Sequence, residues 1–302
     1  MVTEILRPKT IAEAARLAAI PGTAVLGGGT WLNADLPSRG APVGGAAVTT
    51  SAAAGPAAAG PSTAVATRGA AAVAPLALIS LENLGLDFVE WRSSALHIGA
   101  AATFQQCLEA PGVPEALRVS IAATASRTMR NMVTVGGELG LCPADSTLIP
   151  LLAALDARVR IAGRRPLGIE EYRSARALGS VGLIHEVSVP DADRPSAMRW
   201  LARTSHARRS LVIAVAASRL QPSFAGVRIV ASDCRGQVLR LADAEAALEG
   251  SPLPAKDRIE KLVRAAFWPT SDIHASTECK RYLAGVYAAD LLHELAGRQA
   301  GS

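Results

Sequence analysis

The chain lacks most of the signatures that mark metal and catalytic sites. Its four cysteines (Cys107, Cys142, Cys234, Cys279) form no C-x-x-C or C-x-x-x-C pair, which excludes a ferredoxin-type cluster or a zinc held by sequential ligands. Reduced, mostly buried thiols are expected for three of them; Cys142 stands just past a glycine pair and so within sequence reach of a cofactor. None of the five histidines belongs to an H-E-x-x-H helix or a nucleophile triad, and no carboxylate pair suits general acid/base work. Core or surface roles are expected for His97, His185, His206, His274 and His293. Aromatic residues make up only 4%, too few to interleave with basic side chains as a nucleic-acid platform does. No apolar run reaches the roughly 18 residues of a membrane span. The opening MVTEILRPKT is polar and carries no secretory signal. A soluble, cytoplasmic chain is the expectation.

What is present is a 302-residue chain, half of it hydrophobic, long enough for two or three domains. Its net charge of +5 is dispersed, with acidic residues between pairs such as Arg164-Arg165 and Arg208-Arg209. That balance suits a solvated surface or an anionic cofactor. Two glycine clusters stand out: Leu26-Gly27-Gly28-Gly29-Thr30 and Thr134-Val135-Gly136-Gly137. Each sets adjacent glycines beside a hydroxyl after apolar positions. Backbone without Cβ turns sharply and brings N–H groups close to an anion. Two such turns can grip a pyrophosphate from both sides, and neither is a Rossmann or P-loop motif.

Apolar spacing predicts a helix over 10–19, stopped by Pro21-Gly22, then a strand at 24–26 running into the first cluster. Residues 37–62 are Gly, Ala, Pro, Ser and Thr and read as a long loop. Further on, the sequence predicts a strand at 96–100, a helix at 104–110 capped by Thr103, a helical segment over 113–125, a helix at 148–155 and a strand at 157–161. Three β-rich stretches (181–189, 210–218, 227–231) and helices at 243–248, 257–265 and 276–295 then suggest a smaller α+β unit.

In this order and spacing, the motifs resemble those of the FAD-binding medium subunit of the molybdenum hydroxylases, the xanthine dehydrogenase and carbon monoxide dehydrogenase group. The first flavin turn of that family, A-G-G-[TH]-[DS]-L, corresponds to Gly27-Gly28-Gly29-Thr30-Trp31-Leu32. Its second, R-N-x-x-T-[IV]-G-G-N, corresponds to Arg130-Asn131-Met132-Val133-Thr134-Val135-Gly136-Gly137-Glu138. The stretch from Cys142 to Pro150, the strand Leu96-His97-Ile98-Gly99-Ala100 and the tail Tyr282-Leu283-Ala284-Gly285 also fit. The resemblance covers nearly the whole chain outside about 37–70. Three positions depart from the pattern: Trp31 replaces a small polar residue, Glu138 a common Asn, and Asp145 precedes the usual Asp position, which holds Thr147.

The resemblance implies an α+β fold: a two-part vanillyl-alcohol-oxidase-type (PCMH-type) FAD-binding domain over residues 1–178, with 37–70 as an atypical insertion. A smaller α+β domain with a three-stranded antiparallel sheet follows over 179–297. It implies non-covalent FAD, since no histidine lies near 27–31. The implied cofactor residues are Leu26, Gly27, Gly28, Gly29, Thr30, Trp31, Arg130, Thr134, Gly136, Gly137 and Asp145. The backbone N–H groups of both turns are expected to hold the pyrophosphate. Asp145 either contacts the cofactor or caps the following helix, and Arg130 either offsets phosphate charge or lies on the surface. The implied partners are a [2Fe–2S] small subunit and a molybdopterin-containing large subunit, in a dimer of heterotrimers. No metal site and no catalytic residue is expected in this chain itself. A self-contained FAD oxidase or reductase, or a flavin-free structural subunit, are the alternatives.

Overall fold

The computed structural model describes residues 4–29, 77–179, 181–204 and 207–300; Thr30, Trp31, His206 and the stretch 37–70 lie outside the described residues. The chain begins with β1 (Glu4–Leu6), α1 (Ile11–Ala18), β2 (Thr23–Leu26) and β3 (Ala77–Ser80), which form a parallel sheet in the order β1-β3-β2. Thr10 starts α1 by accepting the Glu13 N–H on its hydroxyl at 3.1 Å, and Glu13 accepts the Lys9 N–H in return. The Thr10 bond satisfies one of the donors that a helix start leaves open, and the Glu13 bond ties the residue before the cap to the first turn. Ala14, Ile79, Leu81 and Leu183 form a small core beneath the sheet.

The middle of the chain builds a second layer. Strands β4 (Val89–Arg92) and β5 (Ala95–Gly99) are followed by five short helices: α2 (Phe104–Glu109), α3 (Glu115–Thr124), α4 (Arg127–Arg130), α5 (Val135–Leu141) and α6 (Leu148–Ala154). Then come β6 (Arg158–Ile161), β7 (Leu167–Gly168), α7 (Ile169–Ala177) and β8 (Ile184–Val189), giving an antiparallel sheet in the order β4-β5-β8-β6-β7. Thr103 caps α2 as expected, in a complete capping box with Gln106. The expected helical segment over 113–125 is α3, which begins directly after Pro114. Helix α5 begins in the second glycine cluster, which the sequence reads as a turn.

Strand β8 corrects the expected organisation. Residues 181–189 read as the first strand of the C-terminal part, yet β8 pairs with β5 on one edge and β6 on the other. Val187 and Val189 are fully buried there. Both edges of the strand are used by the sheet that precedes it.

The last sheet contains β9 (Ser196–Leu201), β10 (Leu211–Ala216), β11 (Arg228–Asp233) and β12 (Val238–Arg240), antiparallel in the order β12-β11-β10-β9. It has four strands where three are expected: β8 belongs elsewhere, and β9 and β12 join. Neither newcomer has a strong apolar signal, since β9 is mostly half-exposed and β12 has only three residues. Helices α8 (Ala242–Leu248), α9 (Lys256–Ala266) and α10 (Thr277–Ala300) cover one face.

Strand β10 is buried along its whole length. Leu211, Ile213 and Val215 pack in a core with Ile259, Val263 and Leu292 of the covering helices. Val212, Ala214 and Ala216 belong to the core that contains Leu151 and Leu152 of α6. The alternation of a strand thus sends one β10 side chain after another into two cores. Asp156, between α6 and β6, pairs with both Arg194 and Arg228 at 3.1 Å and ties the same two parts together.

Candidate functional site

The site begins where parallel strands end. Strand β2 runs into Gly27, Gly28 and Gly29, and β3 into Leu81 and Glu82. The segment after β5 (Ala100–Thr103) and the 131–134 bend close the other side. Between them lies a cleft of about 330 Å³ lined by Leu26, Gly27, Gly28, Asn131, Met132 and Thr134, together with Ser80–Glu82, Ala101 and Thr103. The two glycine clusters therefore meet across one cleft.

They meet by interlocking. Gly28 has φ +73°, and a Cβ there would stand 1.7 Å from the Met132 carbonyl oxygen. Gly29 follows at φ +71°, a second left-handed residue. Such consecutive conformations are open to glycine at little steric cost. A Cβ on Gly27 would reach within 3.1 Å of the Thr134 hydroxyl. On Gly137 it would lie 3.0 Å from the Gly27 carbonyl oxygen, and on Gly136 it would meet Ala100 at 2.6 Å.

The two turns differ in their donors, and this corrects the expected grip. The second cluster is the start of α5, not a strand-to-strand turn, with Thr134 as its N-cap. Its N–H groups are already committed: Val135 donates to Ala102 O at 3.0 Å, Gly136 to Ala100 O at 2.9 Å, and Gly137 to the Thr134 hydroxyl at 3.0 Å. In the first cluster, Gly28 and Gly29 N–H groups donate to no acceptor among the described residues. The second turn therefore serves the cleft through Thr134, Asn131 and close packing. Among the described residues, the N–H groups left without an acceptor lie on the first.

Glu138, which replaces the common Asn of the resembling motif, does not line the cleft. It is buried, accepts a 2.6 Å hydrogen bond from the Ser146 hydroxyl, and its carboxyl is pushed up to about 7 by burial. Arg130 does not line the cleft; its guanidinium donates to Gln105 at 3.2 Å and to Ala125 O at 2.7 Å, bracing α4 against α2. Asp145 is not a helix cap: α6 starts at Leu148, and the Ser146 hydroxyl accepts the Ile149 N–H. Asp145 lines a different cleft, formed with Arg208, Arg209, Cys234 and His274.

The other reactive side chains are largely structural. Cys107 is fully buried and its thiol is pushed up to about 12 by desolvation. Cys142 and Cys234 are half-buried and Cys279 is exposed, so only one of the three thiols expected to be buried is so. Cys142 lies outside the glycine cleft. His97 sits on β5 with its Nδ1 hydrogen-bonded to Glu186 at 2.7 Å, a packing role. Among the described residues no group of three His, Cys, Asp or Glu side chains is placed to hold a metal ion.

Sequence reading missed Ser80–Glu82, Ala101 and Thr103 as lining residues of the cleft. Asn131 and Met132 stood inside the quoted R-N-x-x-T stretch without being assigned to the site. The cleft brings a Cβ-free turn together with Asn131 and Thr134, residue types that suit an anionic group.

Residues 45–192 match the family described as "FAD binding domain in molybdopterin dehydrogenase". That stretch contains the second cluster, begins after the first and runs past β8. Uncharacterized protein YgfM of Escherichia coli is 36% identical over 214 residues, covering 70% of this chain and 78% of that one. The nicotinate dehydrogenase FAD-subunit of Eubacterium barkeri is 29% identical over 200 residues, covering 59% of this chain and 66% of that one. The solved structure of reconstituted CO dehydrogenase from Oligotropha carboxidovorans has the same fold, with a TM-score of 0.76 at 20% identity over 99% of this chain and 98% of that one. The PCMH-type α+β fold expected from the motifs is the fold found. The chain belongs to the family of FAD-binding medium subunits of molybdenum hydroxylases, flavoprotein components of oxidoreductase complexes.

Proposed function

We propose that this chain is the electron-transfer subunit of such a complex, taking electrons from a [2Fe–2S] subunit and passing them through FAD to an external acceptor. The observation that carries this reading is the cleft between two interlocked glycine clusters, lined by Gly28, whose N–H donates to no acceptor among the described residues. FAD supplies the redox chemistry; the protein binds and orients it. In this reading Leu26, Gly27, Gly28 and Gly29 surround the pyrophosphate, Thr30 and Trp31 are assigned to the same site by the family resemblance, and Thr134 with Asn131 faces it. Gly136 and Gly137 act by allowing the close approach of the second turn. Arg130 and Asp145, outside the cleft, act by bracing α4 and by lining the second cleft.

The organic substrate would be oxidised on a molybdopterin-containing large subunit, within a dimer of heterotrimers. No helix among the described residues is long and apolar enough to cross a membrane. A cytoplasmic location is part of the proposal. We place the first domain from residue 1 through β8 rather than to 178, and the second from β9 to about 297. The test is reconstitution. Flavin in the isolated chain should stay oxidised when substrate is added, and should be reduced once both partner subunits are present. Substrate-dependent reduction in the isolated chain would show a self-contained oxidase instead.

A further inference from the structure

Cys234 and Lys280 bring a thiol and an amine into direct contact although 46 positions separate them: Lys280 Nζ lies 3.3 Å from Cys234 Sγ. Cys234 follows β11, and Lys280 sits in the first turn of α10. The contact is held from both sides. The buried Asp233 carboxylate accepts the Arg235 and Gln237 N–H groups, which fixes the turn that carries Cys234. It also accepts the Thr270 N–H, which ties that turn to the segment before α10. On the other side, the fully buried Lys280 ammonium donates to Thr270 O at 2.7 Å and to Asp272 at 2.9 Å. An ammonium has three donors, and the sulfur is the third contact.

The two partners differ in access. Lys280 is closed off from solvent, whereas Cys234 is half-buried and lines the second cleft, a space of about 320 Å³. Among the described residues no other cysteine sulfur is hydrogen-bonded to a lysine; the Cys142 thiol donates to Leu139 O, and Cys107 is fully buried. Burial raises the Cys234 thiol above its ordinary value, and the Lys280 ammonium works against that rise. Only a small thiolate fraction is therefore present at neutral pH, so chemistry at this sulfur is slow and needs an excess of oxidant.

We infer that Cys234 and Lys280 form an oxidative modification site, at which hydrogen peroxide joins the sulfur to the nitrogen through a single oxygen atom. One ammonium and one thiol react with two molecules of hydrogen peroxide to give the N–O–S bridge, three waters and one proton, which passes to solvent. Nitrogen and sulfur each lose two electrons, and each peroxide gains two; N–H and S–H bonds break while N–O and O–S bonds form. A bridge of one oxygen spans a 3.3 Å separation with less movement than a direct S–N bond would need. It pins the turn after β11 to α10 and takes the positive charge away from Asp272. The site stands apart from the glycine cleft and does not rest on the electron-transfer reading.

The test is treatment of the FAD-loaded full chain with millimolar hydrogen peroxide, followed by tryptic digestion and peptide mass analysis. The expected product joins the peptides of Cys234 and Lys280, with one oxygen gained and two hydrogens lost relative to their sum. It should resist cleavage after Lys280 and come apart again under a dithiol. Cys234→Ser and Lys280→Arg should each abolish the joined species, and Cys279→Ser should leave its yield unchanged. The serine variant keeps a polar group beside the ammonium, so it reports even if the Lys280 change impairs folding. Four results would overturn the inference: no joined species, Cys234 carried to sulfenic or sulfinic acid with Lys280 free, a joined species that has only lost two hydrogens, or a yield that depends on Cys279.

Discussion

Gly28 lies against the carbonyl of Met132 so closely that a Cβ on the glycine would stand 1.7 Å from the oxygen. This contact joins segments more than a hundred positions apart and makes one cleft of two glycine clusters. Gly28→Ala should therefore do more than strain a left-handed residue, which alone costs about 1 kcal/mol. It should force the two turns apart and abolish FAD retention. Gly85→Ala is the control: Gly85 also has positive φ (+59°), yet an added Cβ meets nothing within 4 Å. Thermal melts and flavin content of the two variants separate the conformational cost from the contact.

Gly136→Ala tests the other side. An added methyl would meet Ala100 at 2.6 Å from its carbonyl oxygen and 2.7 Å from its Cβ. Displacing the start of α5 would also break the Gly136 N–H bond to Ala100 O. A loss of about 1–3 kcal/mol is expected from overpacking, with weakened FAD binding. Near-normal stability in denaturant titration would contradict the packing role assigned to this glycine.

Much of this was legible in the residues, but unevenly. Thr103 with Gln106 and Thr10 with Glu13 are local capping signals, and the helices begin there. Helix α5 escaped because Gly136 and Gly137 are poor helix formers, and a glycine pair after a hydroxyl reads as a turn; Thr134 as an N-cap was the available clue. The β character of 184–189 was readable, but not its partners, since buried strands look alike in sequence whichever sheet they enter. The second cleft had no local signal: its residues come from four loops and only the folded chain assembles them.

Glu138 should make stability depend on pH in an unusual direction. Its carboxyl is raised from 4.5 to about 7 by burial, so the native chain holds a proton that the unfolded chain has released. Stability from this group falls as pH rises between those values, by ~3 kcal/mol in total. Glu138→Gln keeps a hydrogen-bond acceptor for Ser146 without the charge. It should remove this slope and leave the protein more stable than wild type above about pH 7, measured by denaturant titration across pH.

Lys280 is fully buried and donates to Asp272 at 2.9 Å, Thr270 O at 2.7 Å and Cys234 Sγ at 3.3 Å. The ammonium and neighbouring donors hold the Asp272 carboxyl well below the usual carboxylate range despite its desolvation. A depressed carboxyl contributes stability that is present above its unfolded value and lost as pH falls. Asp272→Asn strands the buried ammonium and should cost about 3–5 kcal/mol. Lys256→Ala, at a half-exposed pair with Asp290, should cost under about 1 kcal/mol. Equal melting shifts in the two variants would contradict the ranking.

The most direct test of the central claim is the FAD stoichiometry of the chain, read from the absorbance of flavin released on denaturation after reconstitution with excess FAD. One FAD per chain, released intact without a covalent remnant and lost in Gly28→Ala while Gly85→Ala retains it, is the predicted result. A folded wild-type chain that takes up no FAD, or a Gly28→Ala chain that holds it as well as wild type, would contradict the account.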